Sequence, residues 1–212
     1  MLNDTERERL MTERGRPRRF DRVEALEKAL MAFWHRGYEA TSMNDLVVAM
    51  GINSPSIYAA YGSKEALFSE AVQHYRSHYA AALLEALNGA PDAATGLSAM
   101  FEAAIDLFTG PDRPHGCFIV SAAAGNAPEA SAIQEELSRL RRERSDEIAA
   151  RIHRDAIAGR LHLDLEIQAL ADLYTAILQG MAIAARDGVT RARLSKLYVP
   201  SITAYLTTCS NQ

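Results

Sequence analysis

From Phe20 onward, apolar residues recur every three or four positions, and the chain reads as a succession of helices. The first is predicted over 20–36, where Val23, Leu26, Ala29, Leu30, Phe33 and Trp34 keep helical spacing and Gly37 is placed to stop it. Thr41 and Ser42 open a short second helix, and Asp45 three residues after Ser42 resembles a capping box with Asp in place of Glu. Leu46, Val47 and Met50 form its apolar side, and Gly51 ends it. Asn53 caps a third helix with Pro55 in its first turn, where proline is tolerated. Gly62 ends that helix and Ser63 caps a fourth, predicted as one long helix over 63–88 on the stripe Phe68, Val72, Tyr75, Tyr79, Leu83. Further helices are predicted over 94–109, 115–125, 128–158, 164–187 and 190–208, with Pro200 kinking the last. No alternating run of strand length lies between hairpin signals, so the predicted fold class is all-α.

Composition narrows the picture. The chain has 212 residues, 48% of them hydrophobic, enough to bury a core without staples. Its longest uncharged run, 46–63, contains Gly51, Asn53, Ser54, Pro55, Ser56, Gly62 and Ser63, which argues against a membrane span. The N-terminal stretch has no apolar segment of the secretory type, and a cytoplasmic protein is expected. Cys117 and Cys209 lie far apart and form neither a disulfide framework nor a CxxC site.

The net charge of −4 would by itself disfavour nucleic acid, but its distribution does not. Arg14, Arg16, Arg18 and Arg19 fall within six residues with no acid among them, in a polar stretch, 1–19, expected to be a mobile arm.

Two short helices joined by a Gly-containing turn, the second opening with small polar residues, make a helix-turn-helix. A helix fits the DNA major groove, and the first residues of the recognition helix reach base edges. Residues 37–67 carry Gly37, Tyr38, Thr41, Ser42, Leu46, Gly51, Ile52, Ile57, Tyr58, Tyr61, Lys64, Glu65 and Leu67 at fixed spacing. This pattern resembles the DNA-binding domain of the tetracycline-repressor (TetR/AcrR) family, with the close match over about 20–67.

The resemblance implies a flexible basic arm over 1–19, a DNA-binding domain over 20–66 and a helical effector-binding and dimerisation domain over 67–212. It implies a homodimeric regulator, more often a repressor, on a palindromic operator. DNA contacts would come from Thr41, Tyr58, Tyr61 and Lys64 to phosphates and from Ser54 and Ser56 to bases, with Ser42 also among the DNA-binding residues. Arg16, Arg18 and Arg19 would lie in an adjacent minor groove. The recognition helix carries no charge, so an arginine–guanine fork is absent and hydroxyls, methyl contacts and DNA shape must discriminate. The resemblance also implies a dimer interface from Ile167, Leu170, Ile177 and Leu178 with Leu194, Leu197, Tyr198, Ile202 and Tyr205. A pocket would be lined by Tyr75, Tyr79, Phe101, Ile105, Phe108, Cys117, Phe118, Ser121, Tyr174 and Met181, favouring an apolar or aromatic effector. No cofactor and no membrane partner is expected.

Three features allow sharper readings beside plainer ones. Cys117 follows Gly116 at a helix start, where a thiolate is favoured, but a small buried hydrophobe is the plainer reading. His74 and His78 have metal-compatible spacing, with His115 and Cys117 as possible partners, against ordinary satisfied histidines. Arg139, Arg141, Arg142 and Arg144 alternate with acids and read as one solvated helix face. No GxSxG, phosphate loop, HExxH or SxxK motif supports an enzyme. The rival classes are a helical ligand-binding or scaffolding protein that no longer binds DNA, and a helical enzyme.

Overall fold

The computed structural model describes residues 20–122, 131–161 and 166–197, and every regular element among them is a helix. These are α1 (Arg22–Arg36), α2 (Met43–Met50), α3 (Ser54–Tyr61), α4 (Lys64–His78), α5 (Ala81–Gly89), α6 (Ala93–Phe108), α7 (Phe118–Ser121), α8 (Ser131–Ile157), α9 (Ile167–Arg186) and α10 (Arg191–Leu197).

The first four helices start where polar caps sit. Asp21 accepts from the Val23 and Glu24 amides at 2.8 and 3.1 Å. Ser42 and Asp45 close a reciprocal capping box, Asn53 accepts from Ser56 N–H, and Ser63 accepts from Ala66 N–H. α1 buries Leu26, Leu30, Phe33 and Trp34 against α4, where Phe68 meets Phe33 edge-on at 5.1 Å and Tyr75 meets Trp34 at 4.9 Å. Phe118 on α7 enters the same aromatic cluster, 5.4 Å from Phe68, and so joins the first four helices to the rest.

Two predicted helices differ from those observed. The helix expected over 63–88 is two, because the chain unwinds at Tyr79–Ala80: the amides of both residues point to the Tyr75 carbonyl. Tyr79 is held there by its hydroxyl, which donates to Glu27 on α1. Of the helix expected over 115–125, residues 123–125 lie outside the described residues, and among the others the helix is Phe118–Ser121, behind the turn at Gly116. That glycine has φ +86°, and a Cβ on it would lie 2.7 Å from the Ala182 carbonyl of α9, so only glycine fits.

A buried ion pair ties α8 to the α5–α6 turn. Arg151 and Asp155 are 2.7 Å apart and almost fully enclosed. Arg151 donates to the carbonyls of Leu87 and Ala90, and Asp155 accepts from the Ala93 amide, so the turn's orphan backbone groups find partners.

α9 is long and apolar enough to cross a membrane by length and composition. Its inner side, with Leu170, Tyr174, Leu178 and Met181, is packed in the core.

Candidate functional site

The α2–α3 unit turns at Gly51, which is left-handed at φ 69°, and presents α3 with Ile57 and Tyr61 inward. Pro55, Tyr58 and Ala59 are exposed at helical spacing and form the outer stripe of α3, with Ser54 and Ser56 half-buried beside it. Sequence reading omitted Pro55 and Ala59. Their signal was their place opposite the apolar pair Ile57 and Tyr61.

Two predicted phosphate contacts are corrected. Thr41 is fully buried, and its hydroxyl donates to the Gly37 carbonyl at 2.7 Å. It closes the α1–α2 turn and has no route to a phosphate. Tyr61 is also buried, with its hydroxyl donating to the Arg22 carbonyl at 2.9 Å. Tyr58 is the exposed member of the tyrosine pair. Ser42 is exposed, but its hydroxyl is engaged with the Asp45 carboxylate at 2.6 Å. Those bonds from Ser42, with Arg36 beyond them, hold the Asp45 carboxyl below its ordinary range. Arg16, Arg18 and Arg19 lie outside the described residues.

Lys64 is the first residue of α4, half-buried, with its ammonium 4.3 Å from the centre of the Tyr38 ring. Burial lowers its pKa, opposed by the charges of Glu65, Glu39 and Asp45. The Tyr38 hydroxyl donates to Glu65 at 2.9 Å, which fixes the ring beneath the lysine. Tyr38 is therefore a supporting residue of this surface, while the sequence alone marked it only as a motif position.

Further along α4 a cavity of about 550 Å³ opens between α4, α5, α7, α8 and α9. Of the ten predicted lining residues it takes Tyr75, Phe108 and Cys117. The other seven are corrected. Phe101, Ile105, Phe118, Tyr174 and Met181 are fully packed core, because large apolar side chains fill space instead of bordering it. Tyr79 is turned to Glu27, and Ser121 lies apart from the cavity. The lining that sequence reading missed includes Leu83, Leu84, Leu140, Thr175 and Leu178, with Arg76, Arg141, Glu143, Arg144 and Glu147 among them. The cavity is thus apolar with charged groups in its walls, where the sequence led to a mostly uncharged lining.

The arginine run on α8 is corrected too. Arg139 and Arg142 are exposed, but Arg141 and Arg144 turn inward to the cavity. Tyr75 donates to the Cys117 sulfur at 3.3 Å, and burial foremost, then Cys117, raises the Tyr75 phenol. His74 bonds Glu27 at 2.7 Å, and no group of three potential metal ligands forms among the described residues.

The predicted dimer face is partly corrected. Leu170, Leu178 and Leu194 are buried in the chain's own core. Ile167 and Ile177 are half-buried. On α9 the outward stripe is Ala169, Leu173, Ala176, Gly180 and Ile183, with Leu173 54% and Ile183 42% exposed. The side chain of Leu197, and Tyr198, Ile202 and Tyr205 entirely, lie outside the described residues.

The model of bacterial regulatory proteins of the tetR family matches residues 25–71, which span α1 to α4. The HTH-type transcriptional repressor ComR of Escherichia coli (strain K12) is 33% identical over 187 residues, covering 87% of this chain and 88% of that protein. The chain belongs to the TetR family. A TetR family structure agrees throughout its length: a cysteine-substituted CifR, solved with 26-base-pair double-strand operator DNA, superposes with a TM-score of 0.86 at 38% identity. That match covers 91% of this chain and all of that one. A further relative is the uncharacterized HTH-type transcriptional regulator YezE of Bacillus subtilis (strain 168), 30% identical over 74% of this chain and 81% of its own length. As a TetR regulator the protein binds double-stranded DNA and controls transcription, and it is not an enzyme.

Proposed function

We propose that this TetR regulator is a cytoplasmic repressor that binds a palindromic operator as a homodimer and leaves it when a small molecule fills the cavity. Residues 20–66 read DNA, and residues 67–212 bind the effector and dimerise. Tyr58 and Lys64 meet phosphates, Ser54 and Ser56 meet base edges, and Ser42 stands at the phosphate side of α2. Arg16, Arg18 and Arg19 add minor-groove contacts. No membrane takes part.

The observation that carries this reading is the path of α4. Lys64 opens that helix on the DNA side, and Tyr75 and Arg76, three turns on, line the cavity. A ligand that shifts the end of α4 therefore shifts the DNA-facing end with it. Two α3 helices must sit about 34–36 Å apart to enter successive major grooves. A ligand that binds better to a differently spaced dimer lowers DNA affinity, and DNA lowers ligand affinity by the same factor.

The outer stripe of α9 supports the dimer, since Ala169, Ala176 and Gly180 let a partner helix approach while Leu173 and Ile183 give it apolar contacts. The test is selection of genomic DNA fragments on the purified protein at two salt concentrations. Enrichment of one palindromic site, lost as salt rises, is expected. No enrichment from folded dimer would move the reading to a ligand-binding protein without DNA function.

A further inference from the structure

Arg141 is out of balance with its surroundings. It lines the cavity from α8, and burial lowers its pKa. Its Nη2 donates to Ser138 one turn back at 2.9 Å. Its Nη1 is buried with no hydrogen-bond partner. The ion pairs among the described residues leave it out: Glu143 is taken by Arg76 and Arg139, and Glu147 by Arg144. Besides burial, the groups acting on it are the Cys117 side chain, which accepts a hydrogen bond from the Tyr75 hydroxyl, and the like charge of Arg142. An anion would offset the hydration that this half-buried guanidinium loses at its enclosed, unbonded Nη1.

A second group lining the same cavity is unsatisfied. Thr175 on α9 is 94% buried and lines the cavity, and its hydroxyl has no partner. The remaining wall is apolar, with Ala80, Leu83, Leu84, Phe108, Leu140 and Leu178. A volume of about 550 Å³ suits one drug-sized molecule.

We infer that the cavity takes an amphipathic monocarboxylate, with its carboxylate on Arg141 and its apolar body against the leucines and Phe108. The planar guanidinium fork matches a carboxylate, and two parallel N–H···O bonds would use the donors that are idle here. Thr175 supplies a further hydroxyl to the same cavity from α9. Glu143 and Glu147 also face the cavity, and their charge disfavours a doubly charged phosphate over a single carboxylate. Arg76 pairs with Glu143, and Arg144 lies 3.2 Å from Glu147 although its Nη1 makes no hydrogen bond, so Arg141 is the cavity arginine that the ion pairs among the described residues leave without a carboxylate. The inference rests on the cavity being the effector site proposed above.

The test is isothermal titration of the full-length protein with decanoate and 2-naphthoate, each beside its alcohol and its amine counterpart. At least one carboxylate should bind ten-fold or more tightly than its alcohol, and the amine weakest. Arg141→Gln should remove that preference while changing the alcohol's Kd less than two-fold. Arg141→Lys, which keeps the charge but not the fork, should lose part of it. Thr175→Val should weaken the carboxylate several-fold. Unchanged helical circular dichroism in each variant separates these effects from unfolding. Failure of both carboxylates to outbind their neutral and cationic counterparts overturns the inference, and so does a preference that survives Arg141→Gln. Operator release, followed in the same samples, keeps the two readings apart. Arg141-dependent binding without release removes the effector reading and keeps the ligand class. Release by the alcohol or amine instead does the reverse.

Discussion

The Tyr61 hydroxyl donates to the main-chain carbonyl of Arg22, 39 residues earlier, at 2.9 Å. The Arg22 guanidinium lies 4.6 Å from the centre of the same ring and reaches Glu70 on α4 at 2.7 Å. One tyrosine thus pins the recognition helix to the start of α1 and the middle of α4. Tyr61→Phe should lower stability by about 1 kcal/mol, because a part-buried hydrogen bond to the Arg22 carbonyl is lost. Tyr58, three residues earlier, is exposed, and Tyr58→Phe should leave stability within about 0.5 kcal/mol while weakening operator binding. Thermal melts and operator titrations of the two variants check this. The opposite pattern would return the phosphate contact to Tyr61.

Lys64 tests the electrostatic side of the interface. Its ammonium is propped over Tyr38 at the first residue of α4, where backbone N–H groups also face outward. Lys64→Ala should weaken binding almost equally across sequences. It should reduce the slope of log affinity against log salt by about one per subunit. An intact slope with altered sequence preference would remove Lys64 from the phosphates.

The helix starts and stops of the DNA-binding half were legible because they are written in short-range chemistry. Ser42 with Asp45, Asn53, Ser63, Gly37, Gly51 and Gly62 act within one turn of their own position. What the sequence did not reveal depends on partners far along the chain. The break after His78 follows from Tyr79 reaching Glu27, 52 residues away. Thr41 and Tyr61 carry hydroxyls suited to phosphates, yet both are consumed by carbonyls that folding brings to them. On α9, periodicity gave two apolar sides but not their assignment, so Leu170 and Leu178 were placed outward where Leu173 and Ile183 lie. The cavity was the least legible part. Large aromatics such as Phe101 and Tyr174 mark the core, and the space left open is bordered by residues whose charges pair only in three dimensions.

Asp155 gives the fold a pH signature. Burial would raise its pKa, but hydrogen bonds from Arg160, the Ala93 amide and Arg151 outweigh that and hold it below the ordinary range. A carboxylate depressed in the folded state contributes stability that is fully present above its unfolded pKa, about 3.9, and is lost as pH falls through the folded value. Asp155→Asn strands Arg151 in the interior and should cost about 3–5 kcal/mol near neutral pH. The gap to wild type should narrow as pH drops below about 4, where the unfolded carboxylate takes up its proton, and close further as pH falls through the lower folded value. Melting temperatures of both proteins across that range are the measurement. A gap unchanged by acid would mean the Asp155 charge contributes nothing to the difference.

Leu173 tests which side of α9 meets a second copy in the proposed homodimer. It is 54% exposed, and Ala169, Ala176, Gly180 and Ile183 complete its stripe. A Cβ on Gly180 would meet nothing within 4 Å, so that position is open for a neighbouring helix. Leu173→Glu places a charge in the middle of this stripe, where a partner helix would have to bury it unpaired. The variant should sediment as a monomer, keep its helical circular dichroism and lose most of its operator affinity, because a single α3 reads one half-site. Leu170→Ala provides the contrast. Leu170 is only 2% exposed and packs inside its own chain, so its truncation should lower stability by about 2–5 kcal/mol and leave the dimer assembled. A Leu173→Glu protein that stays dimeric would show that the subunits meet through another face.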